Sequence, residues 1–130
     1  MSLSNFNSPP PRDEATNVAE LKQLVADFVA ERDWSQYHSP KNLSMALAIE
    51  AAELMEHFQW IDAADSRLIA ADEQKLAAVG EELADVIGYA MAMANELGID
   101  IASTMRAKMQ KNIEKYPADK FRGKLSDDGR

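Results

Sequence analysis

The chain has 130 residues, 22 acidic against 14 basic, for a formal net charge of −8; 46% of residues are hydrophobic and 28% charged. That length bounds it to one soluble globular domain, and the negative charge argues against nucleic-acid polymers and anionic membranes as partners. The absence of cysteine excludes disulfides and thiolate metal sites and fits a reducing compartment.

Residues 1–15, with Pro9-Pro10-Pro11, read as a disordered N-terminal tail, and 119–130 as a loose C-terminal tail. Residues 16–118 form the expected single all-α domain. No N-terminal stretch has the layout of a signal peptide, and the longest apolar run, 83–94, contains Asp85 and is too short to span a bilayer. A cytoplasmic location is expected.

The spacing predicts four helices. The first, about 17–32, carries the stripe Leu21, Leu24, Val25, Phe28 and Val29, with Thr16 or Asn17 as N-cap and Glu20 completing a capping box with Asn17. A connector over 33–42 contains Pro40. The second helix covers about 42–60, and 61–72 reads as a polar loop or short turn. The third spans about 73–97 and ends at Gly98. The fourth, about 101–115, is capped by Asp100 and stops before Pro117. The middle two helices are apolar on nearly all sides, which predicts burial in an oligomeric helical bundle.

Two carboxylate pairs interrupt those apolar helices. Glu50 and Glu53 share an i, i+3 face, as do Glu82 and Asp85. Glu50 falls in phase with Leu43, Ala46, Leu47, Leu54 and Phe58; Glu82 and Asp85 fall in phase with Val79, Val86, Tyr89 and Met93. Unpaired carboxylates are expensive to bury, and clustered ones repel. A divalent cation compensates both, and an all-oxygen donor set suits Mg2+, with Mn2+ as a substitute. A di-iron site would need Glu-x-x-His on two helices; neither pair has it, and His57 is i+4 from Glu53. The segment 50–54 echoes 82–86, although two buried helices of similar composition would look alike.

Other residues admit two readings. Trp34, Tyr37 and His38 form either an aromatic plug or a planar slot for a base, which Trp60 could close. Lys108, Asn112 and Tyr116 share a helix face that is either a solvated edge or, with Lys115, a phosphate-binding edge. No glycine-rich phosphate loop is present.

These residues resemble a known family. Glu50-x-x-Glu53 followed by Glu82-x-x-Asp85 is similar to the pattern of the all-α nucleoside triphosphate pyrophosphohydrolases, the MazG-like superfamily. The segment 31–43 (Glu-Arg-Asp-Trp-Ser-Gln-Tyr-His-Ser-Pro-Lys-Asn-Leu) resembles its dCTP pyrophosphatase branch. So do Glu53-Leu54 through Phe58-Gln59-Trp60, and Lys108-Met109 through Asn112 to Tyr116-Pro117. The similarity covers about 17–117. It implies that the four acidic residues bind Mg2+ and that water attacks the α-phosphate of a nucleoside triphosphate, releasing pyrophosphate. It also implies a base pocket of Trp34, His38, Trp60 and Tyr89, and sugar and phosphate contacts from Lys108, Asn112, Lys115 and Tyr116. Lys115 stands where some relatives carry arginine. The implied assembly is a dimer or dimer-of-dimers tetramer. Glu53 is the most plausible general base, with Glu50 beside it. The expected substrate is dCTP or a modified dCTP. The alternatives are dUTP or another non-standard nucleotide, and a metal-binding oligomerisation module without turnover.

Overall fold

The computed structural model describes residues 8–126, and all regular structure among them is helical. Residues 1–7 of the expected N-terminal tail and 127–130 of the expected C-terminal tail lie outside the described residues. The four predicted helices are α1 (Val18–Glu31), α2 (Pro40–Glu56), α4 (Glu73–Leu97) and α5 (Ile101–Lys115). Two short helices join them: α3 (Ala63–Arg67), in the stretch read as a loop or turn, and α6 (Ala118–Phe121), at the start of the stretch expected to be loose. The chain divides into two compact units, Met1–Gly98 and Ile99–Arg130.

Local chemistry accounts for the helix ends. Asn17 caps α1 in a reciprocal capping box with Glu20, both bonds 2.9 Å long. Asp72 and Asp100 accept from the Lys75 and Ser103 backbone N–H groups at the starts of α4 and α5. Gly98 ends α4 in the left-handed conformation, φ 65°, where glycine is unstrained. The bounds of α2 differ from the expected 42–60. Pro40 does not belong to the connector but opens the helix, where its missing N–H is no loss, and Ser39 accepts from the Asn42 N–H. At the other end, the His57 and Phe58 N–H groups donate to Leu54 and Met55, three residues back. This tightening closes the helix at Glu56, before the Phe58-Gln59-Trp60 segment.

Within the first unit α4 is the central helix. It packs most extensively against α2, and also against α1 and the 3-10 turn Leu68–Ala71. Asn95 ties α4 to α1 by donating to the Lys22 carbonyl at 2.9 Å. The buried hydrophobic residues are Leu43, Ile69, Met91, Ala92 and Ala94, and Leu43 is the one side chain among the described residues that is almost wholly enclosed, at 1% exposure. Leu43→Ala should destabilise the protein by about 2–5 kcal/mol, the usual cost of emptying a core leucine site. Chemical denaturation of the two proteins side by side checks this. Other apolar side chains of α2 and α4 stay exposed, Met45, Ile49, Met55, Leu83 and Ile87 among them.

Candidate functional site

The α2–α4 packing brings the two carboxylate pairs together. One oxygen from each of Glu50, Glu53 and Glu82 lies within 4.8 Å of the others. Asp85, one turn beyond Glu82, lies outside this triad but lines the adjoining cavity with Glu50. Glu50 and Glu82 are half-buried, and one carboxylate oxygen on each, Oε2, is shielded from solvent without a hydrogen-bond partner. An orphaned, shielded acceptor is unfavourable unless something outside the chain meets it.

The proton affinities carry the same signature. A hydrogen bond shared with Glu53, then burial and the charges of Glu53, Asp85 and Glu82, raise the Glu50 carboxyl from the ordinary 4.5 to about 7. Burial, then the charge of Glu53, a hydrogen bond with it and the charge of Asp85, push Glu82 upward too, while His57 acts in the opposite direction. Without a cation the cluster relieves its repulsion by keeping a proton. The residues therefore fit a hard divalent ion: several carboxylate oxygens, no nitrogen or sulfur donor in the triad, and two acceptors without partners.

Beside the cluster opens a cavity of about 560 Å³, within the range of small-molecule sites. Glu50 and Asp85 stand on its wall. Trp34, His38 and Tyr89 also line it. The connector that carries Trp34 and His38 is firmly pinned. Asp33 adopts a left-handed φ of 51°, the Trp34 N–H donates to the Val29 carbonyl, and Asn42 Nδ2 donates to the Tyr37 carbonyl at 3.0 Å. Trp34 meets Phe28 edge-on, ring centroids 5.6 Å apart, and the Arg32 guanidinium covers the Phe28 ring at 3.8 Å.

Trp60 does not line this cavity. It is 88% exposed in the turn after α2, because the helix stops at Glu56 and does not continue to residue 60. Sequence reasoning named Leu24, Val25, Phe28 and Val29 only as part of the apolar stripe of α1 and missed that they line the cavity. An apolar stripe reads alike in both cases, so no sequence signal separated them. Gly88 and Ala92 are the other unforeseen lining residues.

The remaining candidates belong to the Ile99–Arg130 unit. Lys108, Asn112 and Lys115 lie on α5, and Tyr116 caps it. The Lys115 ammonium sits 5.3 Å from the Tyr116 ring centroid, and Tyr116 packs edge-on against Phe121.

The MazG-like family profile matches residues 45–127, a stretch holding all four acidic residues and α5. The chain belongs to the MazG-like family. Its relatives include dCTP pyrophosphatase 1 of Rattus norvegicus, 40% identical over 116 residues that cover 89% of this chain and 65% of that protein. The Homo sapiens dCTP pyrophosphatase 1 is 39% identical over 111 residues, 85% of this chain and 62% of that one. This MazG-like chain therefore spans less than two thirds of the length of these curated relatives. Among solved structures, a pyrophosphatase from Archaeoglobus fulgidus aligns with a TM-score of 0.71 at 34% identity, covering 83% of this chain and 99% of that one. No helix among the described residues of this MazG-like chain is long and apolar enough to cross a membrane.

Proposed function

We propose that this chain is a Mg2+-dependent nucleoside triphosphate pyrophosphohydrolase. It converts a deoxynucleoside triphosphate, foremost dCTP or a modified dCTP, to the monophosphate and pyrophosphate, as a house-cleaning activity on the cytoplasmic nucleotide pool. One observation carries the reading: an acidic cluster with orphaned oxygens opens into an aromatic-lined cavity, so a site for a charged triphosphate adjoins a site for a planar base. The names of the relatives support the choice of reaction and base.

Glu50, Glu53, Glu82 and Asp85 would hold the Mg2+, for which Mn2+ could substitute. The bound cation supplies positive charge against the triphosphate and acidifies water. Glu53 is the assigned general base: it takes a proton from the water whose oxygen attacks the α-phosphorus. The bond to the α,β-bridging oxygen breaks, and that oxygen leaves with the electron pair on pyrophosphate. Glu50, with a carboxylate oxygen within 4.8 Å of one on Glu53, is assigned to support it. Trp34 and Tyr89 flank the base, and His38 hydrogen-bonds it. Lys108, Asn112, Lys115 and Tyr116 are assigned to the sugar and phosphates. The exposed apolar side chains of α2 and α4 favour a homo-oligomer, dimer or dimer of dimers, which would cover them.

Hydrolysis in 18O-labelled water tests the point of attack. The label should appear in the nucleoside monophosphate. Label in pyrophosphate would move the attack to the β-phosphorus and overturn the assignment, and turnover of dUTP in preference to every cytosine nucleotide would replace the proposed substrate.

A further inference from the structure

Gly88 stands in the interior of α4, three residues past Asp85 and next to Tyr89. Glycine is among the poorest residues for a helix interior, so its presence there calls for a cause. Close approach of another helix within the chain is not that cause: a Cβ at Gly88 would meet no neighbouring atom within 4 Å. Nor is backbone conformation, since the residue sits within a regular helix and lacks the positive φ of Gly98 and Gly123. Gly80 has equally open space, but Gly88 is the glycine that lines the cavity. The spacing of Asp85, Gly88, Tyr89 and Ala92 puts all four on one helix face, and all four line that cavity. Along this wall, then, the acidic end passes into a stretch without bulk, flanked by the Tyr89 ring. Leu24 and Phe28 of α1 provide apolar wall elsewhere in the same cavity.

We propose that Gly88 is a specificity-determining residue: the space left by its missing side chain admits a pyrimidine base carrying a bulky apolar substituent. This rests on the nucleotide reading above and names the substrate class within it. A single methylene more or less in an apolar pocket changes discrimination by about 10- to 200-fold, so one filled Cβ position is enough to be read.

The test compares wild type, Gly88→Ala and Gly88→Val. Calorimetry gives the affinity of each for dCMP and for 5-propynyl-dCMP, two monophosphates whose binding needs no turnover. Gly88→Val should weaken the propynyl nucleotide at least about tenfold more than it weakens dCMP, with Gly88→Ala intermediate. Gly88→Ala should melt at or above the wild-type temperature, because alanine is the better helix residue. Equal weakening of both nucleotides, or of neither, would overturn the proposal. So would equal weakening accompanied by a changed sedimentation coefficient, which would make Gly88 a packing residue between copies. Size-selective binding without triphosphate hydrolysis would sustain the role of Gly88 and defeat the proposed reaction. Wild type that binds neither nucleotide would defeat both.

Discussion

Glu50→Gln should abolish turnover and, in metal-free protein at pH 8, raise the melting temperature. The substitution keeps the size of the side chain and removes one charge from a group of carboxylates whose oxygens crowd within 4.8 Å. Glutamine cannot serve as an anionic ligand, and loss even of a group that supports a metal ligand costs about 10- to 100-fold in affinity or activity, so at least about a hundredfold loss is expected here. The gain in stability follows because the fold disfavours the Glu50 charge: a hydrogen bond with Glu53, then burial and the neighbouring carboxylates, raise its pKa to about 7. It should shrink towards pH 5, where Glu50 in the wild type already holds a proton. The non-catalytic rival predicts otherwise: an oligomerisation module built on these carboxylates would lose stability, or keep it unchanged, on the same substitution. Thermal melts at the two pH values, paired with a turnover assay, separate the readings.

The second large effect is a pH-dependent response to Mg2+. Glu50 binds its proton more tightly in the folded chain than in the unfolded one, about 7 against 4.5, and Glu82 shifts in the same direction. Between those values the folded state holds more protons, so unfolding free energy falls as pH rises. The stabilising contribution is fully present below pH 4.5 and is lost as pH passes through 7. Metal-free protein should therefore be weakened on the alkaline side by this cluster. Mg2+ competes with the retained proton and should restore stability most strongly above pH 7. At a hundredfold excess over its Kd, a ligand specific to the folded state adds about 2.7 kcal/mol. Melting curves with Mg2+ and with EDTA at pH 5.5 and pH 8 should diverge at pH 8 and nearly coincide at pH 5.5. Equal Mg2+ shifts at both pH values would mean that the ion binds elsewhere.

The parts of this account that were legible in the sequence are those in which one residue breaks a pattern. Glu50 and Glu82 stand out because they occupy apolar phases of otherwise apolar helices, and the α2–α4 packing does bring them together with Glu53. The caps at Asn17 and Asp100 and the stop at Gly98 were readable because each depends on chemistry within four residues. Pro40 was misplaced because proline breaks a helix interior yet opens a first turn, and only the Ser39 cap decides between them. Trp60 was placed with the aromatic slot because the apolar pattern runs on past Glu56, whereas the backbone tightens there. The α1 contribution to the cavity was hidden for a different reason. Leu24 and Phe28 would show the same periodicity packed against a helix or facing an open pocket, and only the tertiary arrangement tells which.

The most direct test of the central claim, that this acidic cluster drives pyrophosphohydrolysis with a divalent ion, is a product assay. Wild type and Glu82→Gln would each be incubated with dCTP in Mg2+ or in EDTA, with pyrophosphate and orthophosphate scored separately. The account predicts pyrophosphate equal in amount to dCMP from wild type in Mg2+, and loss of at least about 99% of it in EDTA or in Glu82→Gln. Undiminished turnover in EDTA or by Glu82→Gln, or orthophosphate as the first product, would contradict it.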